Sequence, residues 1–136
     1  MDFQQITTEL AQDEEGVTVP IDNKVGEPYL AKDGSPSTIT LVGGDSKRVQ
    51  RARDAQTRRL LRARRQKLEP QDLRDNRIEL VVAAVTGWHG WEQGGADWPC
   101  TPENVKELMT VPHILAQCEE AMDAGRSFLA KSSTDS

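Results

Sequence analysis

Two cysteines among 136 residues cannot build a disulfide framework. Cys100 and Cys118 allow one bridge at most, and reduced, buried thiols in an intracellular protein are the better reading. Histidine is equally scarce: His89 and His113 are the whole supply. The longest apolar run, Leu80 to Val85, falls far short of the ~20 residues that cross a bilayer. The opening Met1-Asp2-Phe3-Gln4-Gln5 lacks the basic and apolar regions of a secretory signal. These absences exclude a disulfide scaffold and a membrane span, and lead to the expectation of a soluble cytoplasmic protein. Apolar residues make up 36% of the chain, below the roughly 45–50% of an average domain (a figure that also counts Gly), so the core is small.

Charge is plentiful, at 29% of residues with a net of −5, and unevenly placed. Residues 1–46 carry nine acids and two bases, residues 47–77 twelve bases and four acids, and residues 78–136 nine acids and three bases. The overall sign gives no general reason to bind nucleic acid or anionic lipid. The basic segment holds Arg51, Arg53, Arg58, Arg59, Arg62, Arg64, Arg65 and Lys67. At helical spacing these residues wrap around the cylinder, and no helix-turn-helix or zinc-finger pattern accompanies them. A solvated helix balanced by the acidic flanks, with arginine stems available to a protein contact, is favoured over nucleic-acid binding.

The chain reads as one α+β domain, mostly helical, with about four helices packed on a small antiparallel β-meander. Residues 1–15 are acidic, a short helix or a flexible arm. Residues 16–43 hold the meander: Gly16 to Ile21 alternates at period two with Pro20 suited to an edge, and Ser37 to Val42 is rich in β-branched residues. Asp33-Gly34 and Pro36 supply a turn between them. The helical part spans residues 46–130. Asp45-Ser46 caps a helix to about Leu68 whose sparse apolar positions (Val49, Ala52, Leu60, Leu61, Leu68) predict a narrow buried stripe. Pro70 opens the core helix, in which Leu73, Leu80, Val81, Ala84, Val85 and Trp88 recur at three- and four-residue steps until Gly87 ends it. Thr101-Pro102 caps a short helix bearing Val105, Leu108 and Met109. Pro112 opens the last helix, running to about Ala130, with Leu115, Cys118, Met122, Gly125 and Leu129 as its stripe and Ile114, Ala121 and Phe128 beside it. Residues 131–136 form a disordered tail.

No catalytic constellation emerges. Nucleophilic catalysis needs a base held beside Ser or Cys and a third group orienting that base, and neither histidine lies in such a motif. Gly43-Gly44-Asp45-Ser46-Lys47 lacks the spacing of a phosphate loop and reads as a plain strand-to-helix turn. Cys100, His113 and Cys118 lack a paired-cysteine knuckle, so neither metal nor cofactor is expected, with core-side cysteines and surface histidines instead. All three tryptophans, Trp88, Trp91 and Trp98, fall within eleven residues of a Gly-rich loop. Indoles in such a loop are its packing anchors, and a half-exposed one doubles as a partner hot spot.

Several stretches carry a family likeness when taken in order. They are Ser37-Thr38-Ile39-Thr40-Leu41-Val42-Gly43-Gly44-Asp45-Ser46-Lys47-Arg48 and Val85-Thr86-Gly87-Trp88-His89-Gly90-Trp91. Trp98-Pro99-Cys100-Thr101-Pro102-Glu103-Asn104-Val105-Lys106-Glu107-Leu108, Pro112-His113-Ile114 and Arg126-Ser127-Phe128-Leu129 complete the set. Across about residues 16–130 the chain resembles the tail assembly chaperones of long-tailed, siphovirus-like bacteriophages and their prophages. It departs from that pattern at Cys100, where the family leads one to expect Phe.

The resemblance implies a non-enzymatic protein of the host cytoplasm, absent from the mature virion. Such a protein coats the long helical tape-measure protein and yields it as tail-tube subunits assemble. The resemblance also implies that a longer, frameshifted form accompanies the short one in many members. Candidate contacts are Trp88, Trp91, Trp98, Val105, Leu108, Ile114 and Leu115, in the aromatic loop and the last two helices; a homo-oligomer is compatible with this reading. Two rival expectations are a structural tail or head–tail component retained in the virion, and a small nucleic-acid-binding regulator working through residues 47–67.

Overall fold

Three antiparallel strands, β1 (Val17–Pro20), β2 (Thr38–Leu41) and β3 (Val85–His89), form a sheet in the order β1-β2-β3. The computed structural model describes residues 2–63 and 68–134, and the side chains of those up to Asp123 other than Glu9. Among these residues the helices are α1 (Phe3–Glu15), α2 (Lys47–Arg62), α3 (Pro70–Ala84), α4 (Pro102–Leu108) and α5 (Pro112–Thr134). A two-stranded ribbon, β4 (Glu92–Gln93) with β5 (Ala96–Asp97), follows the sheet. The architecture is the expected small α+β fold, with α1 as the fifth helix.

The N-terminal acidic segment takes the helical of its two possible forms. Asp2 caps α1 by accepting the Gln4 N–H at 3.0 Å. The far end is tied down by Gly43 N–H to the Asp13 carbonyl at 2.8 Å and Lys47 N–H to Glu14 Oε1 at 2.7 Å. A glutamate aimed at the first N–H groups of α2 also complements that helix's dipole. Phe3 and Leu10 of α1 stay exposed.

Between β1 and β2 the chain extends the ladder by isolated bridges, Asp22 with Pro28 and Leu30 with Pro36. The Tyr29 N–H reaches the Ile21 carbonyl at 2.9 Å and the Ser37 N–H reaches the Tyr29 carbonyl at 2.8 Å. Gln117 of α5 clamps this excursion, its side-chain amide donating to the Asp22 carbonyl and accepting from the Asp22 N–H, each at 2.8 Å.

The sheet departs from a sequential meander. Its third strand comes from residues expected to continue the core helix: α3 stops at Ala84, and Val85 is already extended at φ −71, ψ 124. Val85 and Trp88 recur at a helical step, but they are also β-branched or aromatic, and the open side of β2 offers them a full ladder. Tertiary pairing wins over the local period. Gly87 therefore lies within β3, opposite Thr40, and is no helix terminator. Leu73, expected in the core stripe of α3, is 52% exposed, and the buried positions of that helix are Ile78, Val81 and Ala84.

The core lies between one face of the sheet and helices α3, α4 and α5. Ile39, Leu41 and Val85 come from the sheet, and Ile78, Val81, Val105, Leu108, Met109, Ile114, Leu115, Cys118 and Met122 from the helical side. Helix α2 adds Val49 as its buried residue. The narrow stripe expected there is buried at Val49 and half-buried at Ala52 but open beyond them: Leu60, Leu61 and Leu68 are 50%, 59% and 48% exposed. Arg59–Glu79 at 2.7 Å and Gln56 Nε2 to the Asn76 carbonyl at 2.8 Å hold α2 against α3. Arg77 and Glu119 form a forked pair joining α3 to α5, and Glu119 raises the Arg77 pKa by accepting those bonds and by its charge. Helix α5 runs to Thr134, past the expected end at Ala130 and into the segment read as a tail. Arg64, Arg65 and Lys67, residues 135–136, and the surroundings of Gly125, Phe128 and Leu129 lie outside the described residues.

Candidate protein-interaction site

Strand β3 and the ribbon after it bring the three indoles together. Trp88 lies opposite Ile39 in the sheet and donates its Nε1–H to the Trp98 carbonyl at 2.7 Å. Trp91 donates to the Thr38 carbonyl at 3.1 Å, tying the loop back to the edge of the core. Each of these two indole N–H groups thus anchors an aromatic body to the backbone. The rings are tilted, Trp88 to Trp98 at 5.3 Å and Trp88 to Trp91 at 6.3 Å between centroids. Tyr29 extends the row at 5.8 Å from Trp91, and its hydroxyl pairs with His113 Nε2 at 2.7 Å. All three tryptophans are half-buried. They border a cleft of about 380 Å³ shared with Ala31, Lys32, Asp33, His89, Gly90, Glu92 and Asp97.

Gly90 explains how the loop comes so close. Its φ is +82, and a Cβ there would meet Ala31 Cβ at 2.8 Å and Ser37 Oγ at 3.1 Å. Ser37, almost fully buried, donates to the Gly90 carbonyl at 2.7 Å.

Val105, Leu108, Ile114 and Leu115, expected as partner contacts, are 2%, 8%, 3% and 3% exposed. They belong to the core, and their apolar stripe serves the sheet and α3. His113 and Cys100 also differ from expectation: His113 is half-buried beneath Tyr29, and Cys100 is exposed.

The accessible apolar surface lies elsewhere. A groove of about 560 Å³ opens between α2 and α3, with Leu60, Ala63, Leu68 and Leu80 in its lining. Arg53 and Arg59 border it from α2, Asp72 and Asp75 from α3. Leu61 and Leu73, both more than half exposed, lie on the same two helices. Arg48, Arg51, Arg58 and Arg62 are also exposed on α2. The sequence signal for this groove was present in the leucines that did not complete a core stripe.

A second polar cluster was not anticipated. The Ser35 hydroxyl donates to Asp33 Oδ1 at 2.5 Å and meets His89 Nε2 at 3.0 Å. Serine stands between the carboxylate and the imidazole here, with its proton directed to Asp33. In a nucleophilic triad the imidazole lies in the middle and accepts from the serine. The cluster instead shapes the 33–35 turn, and its hydrogen bonds hold the Asp33 carboxyl below the usual carboxylate range. Among the described residues no group of three His, Cys, Asp or Glu is placed to hold a metal ion, and no helix is long and apolar enough to cross a membrane.

The two thiols differ sharply. Burial pushes the Cys118 thiol up to about 12, and burial raises Cys100 less. Because the thiolate is the reactive form, Cys118 is inert in the folded protein. Titration of the native protein at pH 8 with a chromogenic aromatic disulfide is expected to count one thiol promptly, and two after denaturation. Two prompt thiols would contradict the burial of Cys118.

Comparison with protein-family models, curated proteins and solved structures yields no match to the chain.

Proposed function

We propose that this protein is a non-enzymatic chaperone of phage tail assembly that holds the tape-measure protein in the groove between α2 and α3. The observation carrying the proposal is the set of half-exposed leucines on that helical pair, with Leu60 and Leu68 in a groove bordered by charges of both signs. An amphipathic helix presents apolar residues at i, i+3, i+4 and i+7, and a leucine-lined groove of this kind receives such a stripe. Arginines on one wall and aspartates on the other set the orientation of the client and make the contact salt-dependent. Groove-borne binding leaves the core intact, which suits a contact made and released during assembly. The tape-measure protein is named as the client because the ordered sequence motifs resemble those of tail assembly chaperones.

Co-expression with the tape-measure protein tests the proposal. The client is expected to shift into the soluble fraction and to co-purify with the chaperone at low salt. A Leu60→Ser/Leu68→Ser double variant is expected to keep the wild-type circular dichroism and lose at least tenfold in retained client. A client equally insoluble with and without the wild-type chain would refute the proposal. Stoichiometric recovery of the chain from purified virions would favour a retained tail component instead.

A further inference from the structure

Across the ribbon β4–β5, Glu92 stands directly opposite Asp97. Like charges so placed on neighbouring strands repel, and among the described residues no third strand holds this ribbon together. The turn between the strands, Gly94-Gly95, has positive φ at both positions (61 and 84), the geometry that closes a two-residue hairpin tightly. Both carboxylates border the cleft whose walls are Trp88, Trp91 and Trp98. Asp33 adds a third, its Oδ1 accepting the Ser35 N–H and hydroxyl. The one lysine or arginine among the described lining residues, Lys32, is bonded to the Gly95 carbonyl at the ribbon's tip. Three carboxylates against one ammonium leave the rim of an aromatic cleft with excess negative charge, and two of its acids are set in mutual repulsion.

We propose that this cleft receives an arginine side chain from a partner polypeptide. The guanidinium lies against an indole, attracted by the ring's quadrupole, and its N–H groups reach the carboxylates that oppose each other across the ribbon. Arginine fits better than lysine because its planar fork matches carboxylate geometry and its cation is less strongly hydrated. A metal ion is the poorer occupant, since the described carboxylates do not gather at ligand spacing. A quaternary ammonium lacks the N–H groups that would satisfy the acids. This cleft shares no lining residue with the α2–α3 groove, so the proposal does not depend on the chaperone reading.

The probe is the blocked tripeptide acetyl-Gly-Arg-Gly-amide, titrated into ¹⁵N-labelled full-length protein at constant ionic strength. The indole N–H resonances of the three tryptophans report the cleft directly. The arginine peptide is expected to give saturable indole shifts, and the citrulline peptide, its neutral isostere, binding at least tenfold weaker. A Glu92→Gln/Asp97→Asn variant is expected to bind the arginine peptide at least tenfold more weakly while its thermal midpoint holds or rises. The Glu92→Gln change keeps a side-chain oxygen for the Lys32 N–H that Glu92 now accepts at 3.2 Å, so the ribbon keeps its attachment. Each single variant, Glu92→Gln or Asp97→Asn, provides the same measurement with a smaller change. Equal binding of citrulline and arginine peptides, no saturable shift, or undiminished binding by the neutral variants would each overturn the proposal. Tetramethylammonium binding at least as tightly as the arginine peptide would also overturn it, by assigning the cleft to a small ammonium ligand.

Discussion

Replacing Gly16 with alanine is expected to destabilise the protein by about 3 kcal/mol. At φ +78 and ψ −175, Gly16 occupies backbone space that is essentially reserved for glycine. A Cβ built there would lie 2.3 Å from the Leu41 carbonyl oxygen and 2.8 Å from its carbon. The obstacle is backbone, and it cannot swing aside. Leu41 is paired with Val17 on one side and Val85 on the other, so relief would require opening the central strand. Urea unfolding measures the loss directly, and a midpoint drop of roughly 10 °C should accompany it. Gly43→Ala offers a contrast. Its Cβ would fall 1.5 Å from Asp13 Oδ1, a side-chain atom that can rotate away. That variant should loosen the docking of α1 at a smaller cost. A Gly16→Ala protein within measurement error of wild type would mean that the α1–β1 junction is built differently.

Trp88→Ala is expected to have the second large effect, about 3 kcal/mol, near the low end for removing a large aromatic because the ring is only half-buried. Three losses combine. The indole's contacts with Trp91 and Trp98 go, the Trp98 carbonyl loses its donor, and the side chain opposite fully buried Ile39 disappears. Trp88→Phe restores part of the ring contact without the N–H, so it should fall between alanine and wild type. Equilibrium unfolding of the two variants separates packing from hydrogen bonding. Equal stability of Trp88→Phe and Trp88→Ala would show that the bond to Trp98 carries the whole effect.

Local rules were enough wherever a residue's job is local. Ser46, Pro70, Thr101 and Pro112 open or cap helices where their chemistry says they should, Thr101 Oγ1 accepting the Asn104 N–H at 3.2 Å. Pro20 sits on an edge strand, where its missing N–H costs no ladder bond. Val85 and Trp88 misled because one set of residues satisfied both periods, and only the vacant side of β2 decided between them. The leucines of α2 misled differently. Five apolar positions are too few to tell a thin buried stripe from an unfilled groove when the partner helix is unknown.

At the candidate site, the tryptophan cluster was legible from spacing alone, because indoles beside Gly90 had to pack on something near. Val105, Leu108, Ile114 and Leu115 were legible as apolar but not as fully covered; that depends on α3 and the sheet closing over them. The opposition of Glu92 and Asp97 is a matter of strand register, set by the Gly94-Gly95 turn. The pairing of Ser35 with His89 joins segments 54 residues apart, which no local pattern could disclose.

Hydrogen exchange of the chain with and without bound tape-measure protein tests the central claim most directly. Bound client should slow amide exchange on the groove-lining turns of α2 and α3, around Leu60 and Asn76, while β1 and β2 change little. Protection confined to the sheet and α4, with α2 and α3 exchanging as in the free protein, would contradict a client seated between those two helices.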